Sequence, residues 1–285
     1  MIFLRRLKLF IINGLALSVI SIFLQLIGVS FGVYISNKIG HEAVGLYQLL
    51  MSTYSFGITL ALSGINLACV RIVSEEIAKN NLHNLKFVVR KCLLYSICFG
   101  SLAFLIFCVF ANYISLYILH EKISSFAIYI MAISFPFASI CSCLSGYFSA
   151  VRHIIKSATI QIIEQLFKIL LITYMLNKLF NFSINSACCL IVLGTSIAEG
   201  ITCLLMFVAY IRDRKKICPK NINNPNTSTN NITKRIFKIS MPISSATYIK
   251  SGLATLKQII IPLKLESSGL SCNSELANYS YYTFS

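Results

Sequence analysis

The sequence predicts an all-α integral membrane protein with about seven transmembrane helices. Its mean hydropathy is +0.77, and only 12% of its 285 residues are charged, whereas about a quarter of the residues in soluble domains are charged. It also contains uncharged segments of 28 or 29 residues, which exceed the ~20 residues that a helix needs to cross the bilayer hydrocarbon. These observations favour a multi-pass membrane protein over a soluble domain.

The apolar segments give the predicted spans in order. Four of them carry no charge, two are interrupted by Glu164, Lys168 or Glu199, and the seventh contains two lysines. The first is too long for a signal-peptide core and lacks a small-residue cleavage site after it, so we expect a retained helix. The predicted spans are Leu9–Asn37, Ala43–Val70, Cys92–Leu119, Ile123–Val151, Ile154–Met175, Ser186–Tyr210 and Ile239–Ile261.

The basic residues alternate between the connections of these spans. If the N-terminus is cytoplasmic, eighteen of the 25 lysines and arginines lie in inner segments, and four lie in outer ones. Basic residues collect on the cytoplasmic side of membrane proteins, so this pattern predicts a cytoplasmic N-terminus. The net charge of +16 then indicates topology control and contact with anionic membrane lipids rather than nucleic acid.

The same count divides the chain into three parts. Residues 1–216 form a predicted six-helix lobe, and residues 234–285 form one helix of a second lobe with a tail. Between them, residues 217–233 include the asparagine-rich stretch "ICPKNINNPNTSTNN", which lacks apolar periodicity. We expect this part to be a flexible cytoplasmic linker.

The composition argues against an enzyme. The chain has nine acidic residues, and Asp213 is the only aspartate. Few carboxylates are therefore available as catalytic groups. The chain has no Walker A, dinucleotide-binding or GxSxG motif. Its eleven cysteines are scattered without CxxC spacing, so they are expected to be small core side chains. We expect neither a metal site nor a cofactor.

Three lysines recur every seven residues in the seventh span, at Lys250, Lys257 and Lys264. This spacing places them along one helix face. An ionised lysine at mid-membrane costs about 2.5–3.5 kcal/mol. Lys250 and Lys257 therefore either line a polar cavity that attracts an anionic ligand, or reduce this cost by other contacts. In the second case Lys250 pairs with a membrane carboxylate and Lys257 extends toward the surface. Lys264 is expected among the outer headgroups.

Four other charged residues are candidates for the cavity. Glu164 and Lys168 are four residues apart, so they form an ion pair on one helix face or contribute to the cavity. Glu199 has no local partner and could hold a proton or sodium ion, be neutral, or pair with Lys250. Arg71 is expected either to anchor its helix at the headgroups or to take part in gating at the inner mouth.

Three segments resemble one protein family. They are "NKIGHEAVGLYQLLMSTYSF" (Asn37–Phe56), "SGINLACVRIVSEEIAKNN" (Ser63–Asn81) and "KRIFKISMPISSATYIKSGLATLKQIIIPLKLESSGLS" (Lys234–Ser271). They are similar, in order and spacing, to polysaccharide-transport proteins of the stage V sporulation protein B group. This group belongs to the multidrug/oligosaccharidyl-lipid/polysaccharide exporter superfamily.

The resemblance implies two six-helix lobes around a central cavity, alternating access, and movement of an anionic lipid-linked saccharide across a bacterial plasma membrane. A chain with seven spans is then expected to be a truncated member, which would need self-association or a partner to close the cavity. Two alternatives stay open. A cation-coupled drug exporter usually relies on acidic residues, which the first span lacks. A non-transporting remnant or accessory protein would insert without activity.

Overall fold

The computed structural model describes residues 2–39, 41–79, 82–118, 125–179, 184–217 and 229–267. Within these ranges every regular element is helical, which confirms the all-α prediction. A π-helical turn at Ile114–Ile118 extends the fourth helix. The helices are α1 (Ile2–Ile39), α2 (His41–Leu62), α3 (Ile65–Ala78), α4 (Leu82–Tyr113), α5 (Ser125–Ala150), α6 (Ile154–Leu179), α7 (Ile184–Ile217) and α8 (Thr229–Ser267).

Within the described ranges, six helical segments are long and apolar enough to cross a membrane. The helix α8 has 39 residues and ample length for a seventh crossing, but its lysines and hydroxyl side chains make it less apolar than the rest. The multi-pass architecture predicted from the sequence is therefore confirmed. The six segments are Ser18–Lys38, Gly45–Ala78, Asn84–Leu116, Ser125–Ala150, Ile154–Lys178 and Asn185–Arg214.

The linker prediction is only partly covered by the described residues. The helix α7 continues to Ile217, and α8 already begins at Thr229, inside the predicted linker. Residues 218–228 lie outside the described residues, as does the tail 268–285. The division of the chain into lobes therefore stays a prediction.

The predicted second span consists of two helices, α2 and α3, that meet at Ser63 and Gly64. Both residues have positive φ, 41° and 63°. A residue without a Cβ adopts this left-handed conformation at little cost, so Gly64 suits the break. The chain then continues as α3 to Ala78, eight residues beyond the predicted end at Val70. Arg71 consequently lies on a helix rather than at the end of one.

The helix α5 is the centre of the bundle, because α2, α3, α4 and α7 all pack against it. Its contact with α4 is polar as well as apolar. Ser96 Oγ donates to the carbonyl of Ser139, and Ser139 Oγ donates to the carbonyl of Ser96, both at 2.8 Å. Since lipid offers no hydrophobic drive for helix association, such small residues and interhelical hydrogen bonds stabilise membrane bundles.

The buried side chains collect at the two ends of the bundle. At one end, here called the basic end, the cluster joins α3 and late residues of α5 and α7 to early residues of α4 and α8, including Ile72, Leu85, Phe148, Tyr210 and Ile236. The opposite end joins early residues of α2, α5 and α7 to late residues of α1, α4 and α6. Successive spans therefore alternate in direction, as the loop charges predict. The side that faces the cytoplasm stays a prediction.

Candidate ligand groove

A cleft of about 450 Å³ opens between α2, α3, α5 and α8; we call it the lysine cleft. Apolar residues such as Leu62 and Ile243 form part of its wall. Lys250 supplies an ammonium group, and the other polar groups are hydroxyls and one carboxamide. The polar side chains that line it are Ser55, Thr59, Asn66, Ser142, Thr247, Lys250 and Ser251.

The register of α8 on α2 places Lys250 near the middle of the span. The Tyr248 hydroxyl donates a hydrogen bond of 3.2 Å to the carbonyl of Leu60. About one turn toward the basic end, the hydroxyl groups of Ser244 and Ser63 lie 3.4 Å apart. Because Leu60 and Ser63 are central in the Gly45–Ala78 segment, Lys250 packs near the middle of that segment, and its depth in the membrane stays a prediction.

The three lysines of the stripe have different surroundings. Lys250 is exposed and lines the lysine cleft. None of the four ion pairs among the described residues includes it, so the predicted alternative of a carboxylate partner is not observed. Lys257 is also exposed but is not among the residues that line this cleft. The side chain of Lys264 lies outside the described residues.

A second cleft of about 280 Å³ adjoins the first between α2, α3, α5, α6 and α7; we call it the acid cleft. Leu62, Asn66 and Ser142 line both clefts. The two clefts are therefore neighbouring parts of one groove. The polar side chains of the acid cleft are Asn66, Ser142, Ser145, Gln161, Glu164, Glu199 and Thr202.

Glu199 has a partner that the sequence did not suggest. The Tyr54 hydroxyl donates a hydrogen bond to Glu199 Oε1, and Ser134 Oγ lies 3.4 Å from the same hydroxyl. The other oxygen, Glu199 Oε2, is buried and has no hydrogen-bond partner. A buried polar atom without a partner costs free energy, so this oxygen is a place where a proton, a cation or a ligand donor would be stabilised.

Glu164 and Lys168 do not form the predicted ion pair. Their charged groups are not among the described ion pairs within 4.0 Å, although each charge acts on the other and on Glu199. Glu164 lines the acid cleft, whereas Lys168 does not. All six predicted site residues thus lie on helices that border the groove, but only three of them line it: Lys250, Glu164 and Glu199.

Arg71 lies at the basic end, away from the groove lining. Its Nε is 3.2 Å from Glu75 Oε1, and the Arg71 side chain is 67% exposed. The other oxygen of Glu75 accepts a hydrogen bond from Arg235, so Glu75 connects α3 to α8. Sequence reasoning missed this link, because the two residues are 160 positions apart.

A second polar link at the basic end joins α6 to α7. The carboxylate of Asp213 is buried, accepts a hydrogen bond from Lys156 and lies 2.8 Å from His153 Nδ1. In the sequence, Asp213 is distinguished as the only aspartate, and it lies between Arg212 and Arg214. No group of three or more described His, Cys, Asp or Glu side chains could hold a metal ion.

The family profile described as "Polysaccharide biosynthesis protein" matches residues 11–282. The chain belongs to this family. Among curated proteins, it is 22% identical to stage V sporulation protein B of Bacillus subtilis (strain 168) over 264 residues, which cover 91% of this chain and 50% of that protein. The chain thus spans about half the length of this relative of the polysaccharide biosynthesis family.

A solved structure supports the same assignment at the level of fold. It is titled as the inward-facing conformation of a multidrug resistance MATE family transporter of the MOP superfamily, with a TM-score of 0.64 and 13% identity. The match covers 91% of this chain and 57% of that one. At this identity the likeness supports the fold of the chain, and the membership of the polysaccharide biosynthesis family rests on the profile match.

Proposed function

We propose that this member of the polysaccharide biosynthesis family moves a lipid-linked oligosaccharide or polysaccharide precursor across a bacterial plasma membrane by alternating access. The observation that carries the proposal is Lys250, whose ammonium group lines the groove and forms no ion pair with a described carboxylate. Hydroxyl and carboxamide groups border it, which suits a ligand that is both anionic and rich in hydroxyls.

The phosphate of such a ligand would offset the free-energy cost of placing the charged Lys250 side chain in the bilayer. An ammonium at the bilayer centre costs about 2.5–3.5 kcal/mol, and it is stabilised by a phosphate through charge-assisted hydrogen bonds. Lys250 acts here as a point charge with rotatable donors, as lysine does in other phosphate sites. The uncharged neighbours Ser251 and Thr247 leave this charge uncompensated.

Coupling to a proton or sodium gradient belongs to the same proposal, with Glu199 as the coupling residue. Its Oε2 is buried without a partner, and the Tyr54 hydrogen bond orients its other oxygen. An intramembrane acid of this kind commonly serves as a proton or ion relay. We further propose that the basic end faces the cytoplasm, where its exposed lysines and arginines meet anionic lipids.

The test is transport by the purified full chain in liposomes that contain a fluorescent polyprenyl-diphosphate saccharide. A membrane-impermeant quencher reports the fraction of the lipid in the outer leaflet over time. We expect Lys250→Gln to lower the initial rate at least about tenfold, because a neutral amide loses the charge-assisted bonds to the diphosphate. Lys238→Gln is the matched control, since Lys238 is an exposed lysine of α8 that does not line the groove.

Two results would contradict the proposal. One is a rate for Lys250→Gln equal to that of the unsubstituted chain. The other is translocation by the unsubstituted chain no faster than in protein-free liposomes.

A cation-coupled drug exporter is the second candidate, favoured by the carboxylates of Glu164 and Glu199 in the groove. Carboxylates attract a cationic drug, whereas Lys250 repels it. Efflux of a fluorescent cationic dye from the same liposomes decides between the two. The drug exporter is favoured if the dye moves and the diphosphate saccharide does not, and the reverse result favours the saccharide.

A further inference from the structure

The groove has two chemically different ends. Lys250 of α8 lies at one end, and the carboxylates of Glu164 and Glu199 lie at the other. The polar side chains of α3 and α5 and Gln161 of α6 form an uncharged wall of the groove. Asn66 and Ser142 line both clefts, and Ser145 and Gln161 line the acid cleft. Burying hydroxyl and carboxamide groups in a membrane bundle costs free energy unless they form hydrogen bonds with each other or with a polar ligand.

The helix contacts fix this wall in place. Asn66 Nδ2 donates a hydrogen bond of 3.2 Å to the carbonyl of Ser142. The backbone of α3 lies directly against α5 here, because a Cβ on Gly146 would be only 2.6 Å from the carbonyl oxygen of Asn66. Any larger residue at 146 would separate the two helices. Asn66 is therefore held at the point where the two clefts meet.

The second half of the wall is a short hydrogen-bonded chain between α6 and α5. Gln161 Nε2 donates to Ser157 Oγ at 3.4 Å, and Ser157 Oγ donates to Ser145 Oγ at 3.1 Å. A carboxamide has two donor hydrogens and an acceptor oxygen, and the bonds given for Asn66 and Gln161 each use one donor hydrogen. Both groups can thus exchange hydrogen bonds with hydroxyls in the groove.

We propose that Asn66, Ser142, Ser145 and Gln161 form a subsite for an uncharged saccharide, whose phosphate end lies at Lys250. The inference rests on the proposed function, since it assigns the phosphate to Lys250. The carboxylates of Glu164 and Glu199 line the same cleft, so an acidic sugar would meet like charge and be disfavoured.

The test compares two ligands on the purified full chain. One is a polyprenyl diphosphate without sugar, and the other is the same lipid carrying a neutral saccharide. We expect Asn66→Ala and Gln161→Ala each to weaken binding of the saccharide-bearing lipid by about fivefold, as the loss of a hydrogen bond predicts. The Kd of the bare diphosphate should stay within about twofold. Thr159→Ala is the control, because its exposed hydroxyl on α6 bonds only to the carbonyl of its own helix at Ile155.

The outcomes separate the subsite from the proposed function. Loss of affinity for both ligands alike, or for neither, in the Asn66 and Gln161 variants overturns the subsite. Binding of both ligands that is unaffected by Lys250→Gln contradicts the proposed function itself. Gln161 is exposed, so Gln161→Ala keeps the test decisive if Asn66→Ala fails to insert.

Discussion

Tyr54 and Glu199 lie 145 residues apart in the chain, and yet the phenol donates a hydrogen bond to the carboxylate inside the bundle. The sequence identified Glu199 as an intramembrane acid, because charge is rare in apolar segments. It gave no sign of Tyr54, since a tyrosine in an apolar helix is usually a core residue. The place of Lys250 along its span, in contrast, could be predicted, because it follows from position along one helix.

Substituting Glu199 tests its assignment as the coupling residue. In the liposome assay we expect an imposed proton or sodium gradient to accelerate transport by the unsubstituted chain. In Glu199→Gln the rate should no longer respond to either gradient, because an amide binds neither a proton nor a cation at this position. Initial rates with and without each gradient give the measurement.

Glu76→Gln is the matched control for this substitution. Glu76 Oε2 is likewise buried without a hydrogen-bond partner, but the residue lies on α3 near the basic end and does not line the groove. Persistent gradient dependence in Glu199→Gln would contradict the assignment. So would an equal loss in Glu76→Gln.

At the scale of helices, the break between α2 and α3 could not be predicted from hydropathy. The segment Ala43–Val70 was predicted as one span because a turn between two apolar helices leaves the hydropathy unchanged. The pair Ser63–Gly64 was the only local signal, and its meaning depends on α8. Ser240 and Ser244 of α8 pack against Gly64, so the break allows a close approach of two spans that are distant in sequence.

Gly64→Ala should destabilise the bundle. The left-handed conformation at φ 63° costs an alanine about 1–2 kcal/mol. The new Cβ would also lie 3.0 Å from the Ser240 carbonyl oxygen and 3.1 Å from Ser244 Oγ. Equilibrium unfolding of the purified protein in mixed detergent measures the change in free energy.

Gly32→Ala is the control for the break, because a Cβ at Gly32 in α1 would meet nothing within 4 Å. An alanine there should be neutral or stabilise the helix by up to about 1 kcal/mol. Equal stability of Gly64→Ala and Gly32→Ala would show that the break does not need a glycine.

For the whole molecule, the sequence predicted those properties that depend on one segment at a time. Helical class, the multi-pass architecture and the alternation of span direction all follow from runs of apolar residues and from basic residues in the connections. The basic end illustrates this, because Arg71, Lys156 and Arg235 all lie in inner connections by the charge pattern, and the structure brings them to one end.

The groove could not be predicted in the same way. It depends on the convergence of α2, α3, α5, α6, α7 and α8, and each wall residue lies on a segment whose periodicity also fits a lipid-facing or core position. Asn66 and Gln161 were not singled out, since an isolated carboxamide in an apolar run has no specific meaning. The charged candidates could be identified from the sequence, but Lys168, Lys257 and Arg71 do not line the groove.

Photoaffinity labelling tests the central claim that the groove binds a lipid-linked saccharide. A polyprenyl-diphosphate saccharide with a diazirine beside the diphosphate is irradiated with the full chain in lipid, and labelled peptides are identified by mass spectrometry. We predict labels on groove residues of α5 and α8, such as Ser142 and Ser251, that unlabelled ligand displaces and Lys250→Gln reduces. Labels confined to exposed positions on the outside of α4 and α6, such as Val109 and Leu170, would contradict it.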